Sequence, residues 1–209
     1  MTHSWHSEKV FIMKRLLLIL ILTLSFQSWT KADDIREFEI EGMSIGDSAL
    51  DYFSEKEILD SVKTVPQYNK DDYKIAYIQK SNKYDFEIYD GITFYYKKNN
   101  SKYKIVGIVG SKYYLNNFKD CLKDLKIMKK DIEKSFSINP AWEGKQQLPY
   151  DKSGKTIMHG ARYDFASNGD LQMVCYDWSE ELSKKEGRID ELTLAISNSE
   201  YGKWMIRYN

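Results

Sequence analysis

Two cysteines, Cys121 and Cys175, constrain the fold of this chain more than any other feature. One lies in a segment with the hydrophobic periodicity of a helix, and the other lies in a segment with the pattern of a strand. Cys121 flanks a stripe of apolar residues at three- and four-residue spacing over 112–136, which predicts an amphipathic helix. Cys175 belongs to the strand-like segment 171–178. A disulfide between them would fasten a helix to a sheet, at a chain-entropy gain of about 4 kcal/mol. Two buried free thiols are the alternative interpretation.

The disulfide interpretation depends on the amino-terminal region, residues 1–32, which has the pattern of a secretory signal peptide. Two basic residues, Lys14 and Arg15, precede the apolar run 16–26, and Thr30 and Ala32 supply small residues at a cleavage site after Ala32. The apolar run is shorter than the roughly 20 residues of a membrane-spanning helix. We therefore expect cleavage, with an uncleaved anchor as the alternative.

The predicted product is a single exported domain over 33–209, in the periplasm or secreted, where disulfides persist. It carries no stable membrane anchor after cleavage. Met13 directly precedes the basic pair, so residues 1–12 are interpreted as lying upstream of the true start. The hydrophobic pattern also suggests two loosely duplicated halves, 33–110 and 111–209, although one continuous core is favoured.

Charge and histidine content restrict the function. The chain has 31 basic and 31 acidic residues, and no clustered basic face indicates a nucleic-acid partner. His159 is the only histidine after the leader. With Cys121 and Cys175 paired, no tetrahedral zinc site and no Cys–His nucleophile can be assembled. We expect no metal and no cofactor, and we interpret His159 as a hydrogen-bonded residue of a sheet.

The sequence of the first half predicts a helical segment followed by a meander of strands. Residues 44–63 contain two capping-box patterns, Ser44–Asp47 and Ser54–Glu57, and predict two short helices or one kinked helix. Strand patterns follow, with Asp90-Gly91 as a hairpin signal between the second and third. The four predicted strands are 73–80, 84–89, 92–97 and 103–109.

The second half begins with the long helix and continues into a connection, 137–154, that contains two prolines and predicts irregular structure. Strands are predicted at 156–165 and 171–178, around a hairpin turn at 167–170, and at 190–197 after a charged loop, 179–188. A last short helix is predicted, with Ser199 as its N-terminal cap. The order α-ββββ-α-βββ-α indicates an α+β fold in which antiparallel sheet packs on helices.

The segment Glu41-Gly42-Met43-Ser44, opening a short helix before a meander, resembles the start of small exported helix-and-sheet modules. Such modules occur in outer-membrane assembly lipoproteins of the SmpA/OmlA type and in the β-lactamase inhibitor protein. The chain is also similar to small exported bacterial proteins without assigned activity. The resemblance implies an envelope location. The lipid-attachment cysteine of the lipoproteins has no counterpart here, so it implies no lipid anchor.

No motif for catalysis is complete. Gly154-Lys155-Thr156 lacks the earlier glycine of a phosphate-binding loop, because position 149 is proline. A calcium loop at 164–170 is out of register. Carboxylate pairs would support glycosidase-type hydrolysis, but acidic residues are so frequent that no pair stands out. The available carboxylates are Glu143, Asp151, Asp164, Asp177, Glu180 and Glu181.

Aromatic residues are the one compositional excess, at 14% of the chain with sixteen tyrosines. Cross-strand packing is the ordinary explanation for tyrosines in a sheet. The alternative is a contact surface, since Tyr and Trp supply large, rigid, amphipathic area. The residues assigned to it are Trp142, Tyr150, Tyr176 and Trp178. The sequence thus favours a non-catalytic binding or interaction module for an envelope protein or glycan, with a small carboxylate-based periplasmic hydrolase as the alternative.

Overall fold

A computed structural model describes residues 34–63, 72–115, 117–149, 151–167 and 169–206. Residues 204–206 are described as helix backbone only. Ala32–Asn209 forms one compact unit. The predicted signal peptide lies outside the described residues.

The described residues contain helices and a predominantly antiparallel arrangement of strands. The helices are α1 (Glu55–Asp60), α2 (Phe118–Phe136), α3 (Glu180–Glu186) and α4 (Ser199–Ile206), and short 3-10 turns occupy Ile35–Glu37 and Ala49–Asp51. The strands are β1 (Glu39–Ile40), β2 (Met43–Ser44), β3 (Val62–Lys63), β4 (Tyr73–Gln79), β5 (Gly91–Lys97), β6 (Ile105–Tyr113), β7 (Trp142–Gln147), β8 (Ile157–Asp164), β9 (Asp170–Asp177) and β10 (Glu191–Ser197).

Eight of these strands form one sheet in the order β3-β4-β5-β6-β10-β9-β8-β7, and every neighbouring pair is antiparallel. Each half of the chain contributes a four-stranded meander, and the two meanders meet where β6 pairs with β10. The fold is therefore α+β, as predicted.

One side of this sheet, the helix face, is covered by α2 and by the segment 34–60. Its apolar side chains form one main core that spans both meanders, from Ala76 and Phe94 to Leu171 and Tyr163. The Phe53 ring stacks on Phe94 with 5.6 Å between centroids. This main core is thus shared by both halves, and burial of apolar area is its main source of stability.

The opposite side of the sheet, the outer face, carries helices only near its ends among the described residues. At one end Leu182 of α3 packs with Met158, Val174 and Trp178. At the other end Tyr201 of α4 packs on Tyr73 and Val106.

The predicted strand at 84–89 is wrong, and with it the Asp90-Gly91 hairpin. Residues 80–90 form a loop between β4 and β5, which pair directly with Gln79 opposite Gly91. The Glu41 carboxylate holds this loop by accepting the backbone N–H groups of Glu87, Ile88 and Tyr89, at 2.8 to 3.1 Å. These charge-assisted bonds replace the ladder that a strand would have made.

The predicted pair of helices at 44–63 is half right. Ser54 and Glu57 form the capping box that begins α1. The first pattern instead closes a turn, in which the Asp47 carboxylate accepts the N–H of Ser44 at 2.8 Å. Only the short 3-10 turn Ala49–Asp51 follows it, because Gly46, at φ +103°, directs the chain away from helical geometry.

In the second half, β8, β9, β10 and α4 occur where the sequence predicts them, whereas α2 begins at Phe118 rather than at 112, because β6 continues to Tyr113. The predicted irregular connection 137–154 contains a further strand, β7, and the predicted charged loop 179–188 contains α3. The order from α1 onward is therefore α-ββββ-α-βββ-α-β-α rather than α-ββββ-α-βββ-α. Ser179 caps α3 by accepting the N–H of Leu182, and only Leu182 of that helix is buried, which explains its weak apolar signal.

Candidate functional site

The disulfide joins α2 to β9, with 6.0 Å between the Cα atoms of Cys121 and Cys175. Both cysteines are fully buried, and their cluster includes Tyr114 and Leu192. The predicted pairing is thus confirmed in the structure. It is consistent with a compartment outside the reducing cytoplasm.

His159 lies on the helix face of β8, opposite Cys175, and its ring makes an edge contact with Phe118 at 5.6 Å. The contact fills the space beside the amino-terminal turn of α2. Among the described residues no three His, Cys, Asp or Glu side chains are grouped so that they would hold a metal ion.

The central part of the outer face presents a transverse row of side chains, one from each of seven adjacent strands. Cross-strand register places them side by side. The row begins and ends with an aromatic ring and has small or polar residues between. From β4 to β7 it consists of Tyr77, Thr93, Val109, Ala195, Gln172, Arg162 and Trp142.

A cavity of about 480 Å³ opens between this row and α4. Tyr95 and Tyr201 form an aromatic wall, their ring centroids 4.6 Å apart. Gly107 lies beneath them, and a Cβ there would come within 3.2 Å of both rings. Glycine at this position therefore allows the two rings to lie close to the sheet.

The other wall of the cavity is polar and internally paired. The Arg162 guanidinium contacts the Asp164 carboxylate at 3.0 Å, and the Gln172 amide donates to Asp170 at 3.1 Å. The Ser197 hydroxyl also hydrogen-bonds to Asp170. An aromatic wall facing fixed polar groups is the arrangement by which ligand sites combine contact area with orientation.

Three of the four predicted aromatic contact residues lie on the outer face. Trp142 is half-buried on β7, Tyr176 is half-buried on β9, and Tyr150 lies outside the described residues. Trp178 is only 8% exposed. Its ring stacks on Tyr176 at 5.1 Å and lies 4.8 Å from the Arg188 guanidinium. Trp178 therefore supports the Tyr176 ring and presents little area of its own.

Glu191 lies in the same region of the outer face, between Tyr176 and Tyr113 in register. Burial raises the pKa of its carboxyl, while the Ser111 hydroxyl, the Arg188 charge and the Trp178 indole oppose that rise. The indole N–H of Trp178 makes no hydrogen bond of normal geometry with the described residues, so its contribution is a weaker polar contact.

Most of the carboxylates considered for catalysis have structural partners. Glu143 pairs with Lys129 at 2.7 Å, and Asp164 pairs with Arg162. Asp151 is buried and accepts the N–H groups of Ser153 and Thr156, at 3.0 and 2.9 Å. Two others, Glu180 and Glu181, are exposed at the start of α3.

Asp177 differs, because it faces Asp190 across the end of the sheet. Glu191, the first residue of β10, pairs with Tyr176, so Asp190, directly before β10, lies opposite Asp177 at the end of β9. Burial and the charge of Asp177 raise the pKa of Asp190, and the N–H donated by Trp178 opposes that rise.

Asp151 supplies an acid-dependent contribution to stability. Hydrogen bonds, first that from Thr156, lower the pKa of Asp151 in the folded state. A lowered pKa stabilises the fold above the unfolded value near 4, and this stabilisation is lost as pH falls below it. We expect Asp151→Asn to destabilise the protein most at about pH 6 and less at about pH 3, where the stabilisation is only partly lost because the pKa of the folded state is so far below its ordinary value, measured by urea unfolding. Asp131→Asn, exposed on α2, is the control, and a pH-independent effect at Asp151 would contradict the assignment.

Sequence reasoning did not identify Arg162, Gln172 or Glu191. All three alternate with buried residues along predicted strands, so their shared face could have been recognised. Their assembly into one row depends on β6 pairing with β10, which no local pattern indicates.

No protein-family model matches this chain, and neither the curated proteins nor the solved structures give a match. Within the described residues, every helix is too short or too polar to cross a bilayer.

Proposed function

We propose that this protein is a non-catalytic binding module of the cell envelope, and that it takes up a protein or glycan partner on the outer face of its sheet. The observation that carries the proposal is the cavity between α4 and the transverse row, with the aromatic wall of Tyr95 and Tyr201 opposite Arg162 and Gln172. Trp142, beside Arg162 in the row, and Tyr176, farther along β9 from Gln172, extend the same face.

Contacts within the polar wall favour binding. Arg162 contacts Asp164 and Gln172 donates to Asp170, each two residues away on the same strand, and these contacts orient both side chains before a partner arrives. Preorganised groups lose less conformational entropy on association, which strengthens binding. The half-buried aromatic rings add apolar area beside these polar groups.

Export belongs to the same proposal. The leader-like pattern of residues 1–32 predicts transfer to the periplasm or outside, and the Cys121–Cys175 disulfide is consistent with that environment. The helix-then-meander layout of each half supports a loose duplication and the resemblance to small exported helix-and-sheet modules.

The binding proposal is tested with the oxidised protein immobilised on a resin and incubated with its own solubilised envelope fraction. We expect specific capture of a protein or glycan by the wild type, and at least about tenfold weaker binding of the purified partner by Arg162→Gln, because truncation of a buried interface Arg costs 1–2 kcal/mol or more. Lys126→Gln on the exposed side of α2 removes the same charge and is expected to bind normally. Equal loss in both variants, or no loss in either, would place binding elsewhere.

A carboxylate-based hydrolase is the second candidate, and the Asp177–Asp190 pair is the observation that favours it. A carboxyl with a raised pKa that faces a second carboxyl is an arrangement that acid–base hydrolysis uses. For a hydrolase, we expect the protein to release a product from envelope glycans. We expect Asp190→Asn to abolish this release without weakening capture of the substrate. Undiminished release by Asp190→Asn excludes this pair as the catalytic groups.

A further inference from the structure

β7 is the outermost strand of the eight-stranded sheet, and the described residues pair with only one of its edges. Trp142 is half-buried, and the following five residues of the strand are exposed. An exposed edge of this length presents unpaired backbone N–H and C=O groups, which are a template for a further strand.

The register identifies which backbone groups are free. The N–H of Leu148 donates to the carbonyl of Thr156 at 3.0 Å, so even-numbered residues of β7 are directed toward β8 by the alternation of an antiparallel ladder. The N–H and C=O groups of Glu143 and Lys145 are therefore directed away from β8. These two residues carry the only charges of the strand.

Antiparallel pairing of β7 with itself has one register in which all charges match. When the two-fold axis passes through Gly144, Glu143 of each copy lies opposite Lys145 of the other, and both residues use their free backbone groups. If the two-fold axis instead passes through residue 143, Glu143 of one copy lies opposite Glu143 of the other. If it passes through residue 145, Lys145 lies opposite Lys145. Like charges directly opposite each other destabilise a strand pair.

The side chains around this axis are suited to such a contact. Lys145 has no ion-pair partner within the described part of the chain, whereas Glu143 pairs with Lys129 of α2 in the same copy. A Cβ on Gly144 would meet nothing within 4 Å, so the centre of the strand is open. Trp142 lies two residues away on the outer face, where its exposed edge would cover the glycine of the other copy.

The helix layer leaves room for a second copy. α2 packs on β9, β10 and β8, and β7 extends beyond it. In a continuous sheet the two copies of β9 would be about 24 Å apart at the ordinary strand spacing. Two helices about 10 Å in diameter fit above that span without collision.

We propose that β7 pairs antiparallel with β7 of a second copy of this chain, about a two-fold axis at Gly144, so that two eight-stranded sheets become one. The interaction surface is isologous, since the same strand serves both copies. One strand pair buries less than the roughly 1,200 Å² of a standard interface, so we expect a dissociation constant on the order of 10 to 100 µM.

The test is sedimentation velocity of the oxidised full-length mature protein from about 5 to about 500 µM, a range that brackets such a weak interface. Wild type is expected to pass from monomer to dimer. Lys145→Glu and Glu143→Lys are each expected to weaken the dimer about tenfold or more, because each variant alone places two like-charge pairs across the axis. Circular dichroism verifies that both variants keep the sheet.

An equimolar mixture of the two variants is the decisive arm. Across a mixed pair, each introduced glutamate faces an introduced lysine, and the remaining Lys145 faces the remaining Glu143. Dimer is therefore expected to return in the mixture at wild-type strength. The control Lys126→Glu, on the exposed side of α2, should dimerise normally. A wild type that stays monomeric at every concentration overturns the proposal, as does a mixture no more dimeric than its components.

Discussion

Opening of the Cys121–Cys175 disulfide is expected to lower the free energy of unfolding by about 4 kcal/mol, because the bond closes a loop across a sequence separation of 54 residues. That is a large share of the roughly 5–15 kcal/mol of a typical domain. The bond joins β9, an inner strand of the sheet, to the only long helix described on it, so α2 is expected to detach first. The measurement is urea unfolding followed by circular dichroism, with and without reductant.

A variant with both cysteines replaced by alanine separates the bond from other effects of the reductant. It should unfold at the lower urea concentration of the reduced protein, and reductant should leave it unchanged. A wild type that keeps its midpoint after thiol titration has verified complete reduction would contradict the expected contribution.

Replacement of Leu171 by alanine is expected to cost about 2–5 kcal/mol, the range of buried Leu→Ala substitutions that leave a cavity. Leu171 is fully buried on β9, between Tyr163 and Ile196 in register. Its neighbour Ile196 faces Ile108 on β6, so the cavity would lie close to the joint between the two meanders. Tryptophan fluorescence and circular dichroism are therefore expected to report one shared transition at lower urea.

Leu115→Ala is the matched control, since that leucine is 74% exposed and the substitution removes the same atoms. We expect a change within about 0.5 kcal/mol, as for ordinary surface substitutions. Equal effects at both positions would show that Leu171 is not in a packed core. Two separate transitions in the Leu171 variant would show instead that the meanders unfold independently.

Segments with strong local signals were predicted well from the sequence. The apolar stripe of α2, the alternation in β8 and β9 and the turn between them each depend on residues close together in the chain. The pairing of Cys121 with Cys175 followed from those two elements and the leader. Even so, the side chain that caps α4 is Asn198, which accepts the N–H of Tyr201, rather than the predicted Ser199.

Elements that depend on distant partners were missed. The loop at 80–90 has strand-like alternation, but Glu41 binds its backbone from far along the chain. β7 has the opposite problem. Its sequence is polar because it is an edge strand whose residues 143–147 are exposed, so it lacks the buried alternation by which strands are recognised.

The candidate site was predictable only in part for the same reason. Trp142 and Tyr176 were selected for their residue type, and register places both on the outer face. Their neighbours Arg162 and Gln172 became visible only once eight strands had been ordered. Trp178 shows that residue type alone does not establish exposure, since Tyr176 and Arg188 contact its ring.

The joint between β6 and β10 has a consequence for the time course of biosynthesis. β6 ends at Tyr113, but its second neighbour begins only at Glu191, so a ribosome must complete most of the chain before the sheet can close. Until then the nascent polypeptide contains two partial sheets, and the edges of β6 and β9 that will pair with β10 are unpaired. Contacts so distant in sequence form slowly. A chaperone that shields these unpaired strand edges during this interval would increase the yield of folded protein.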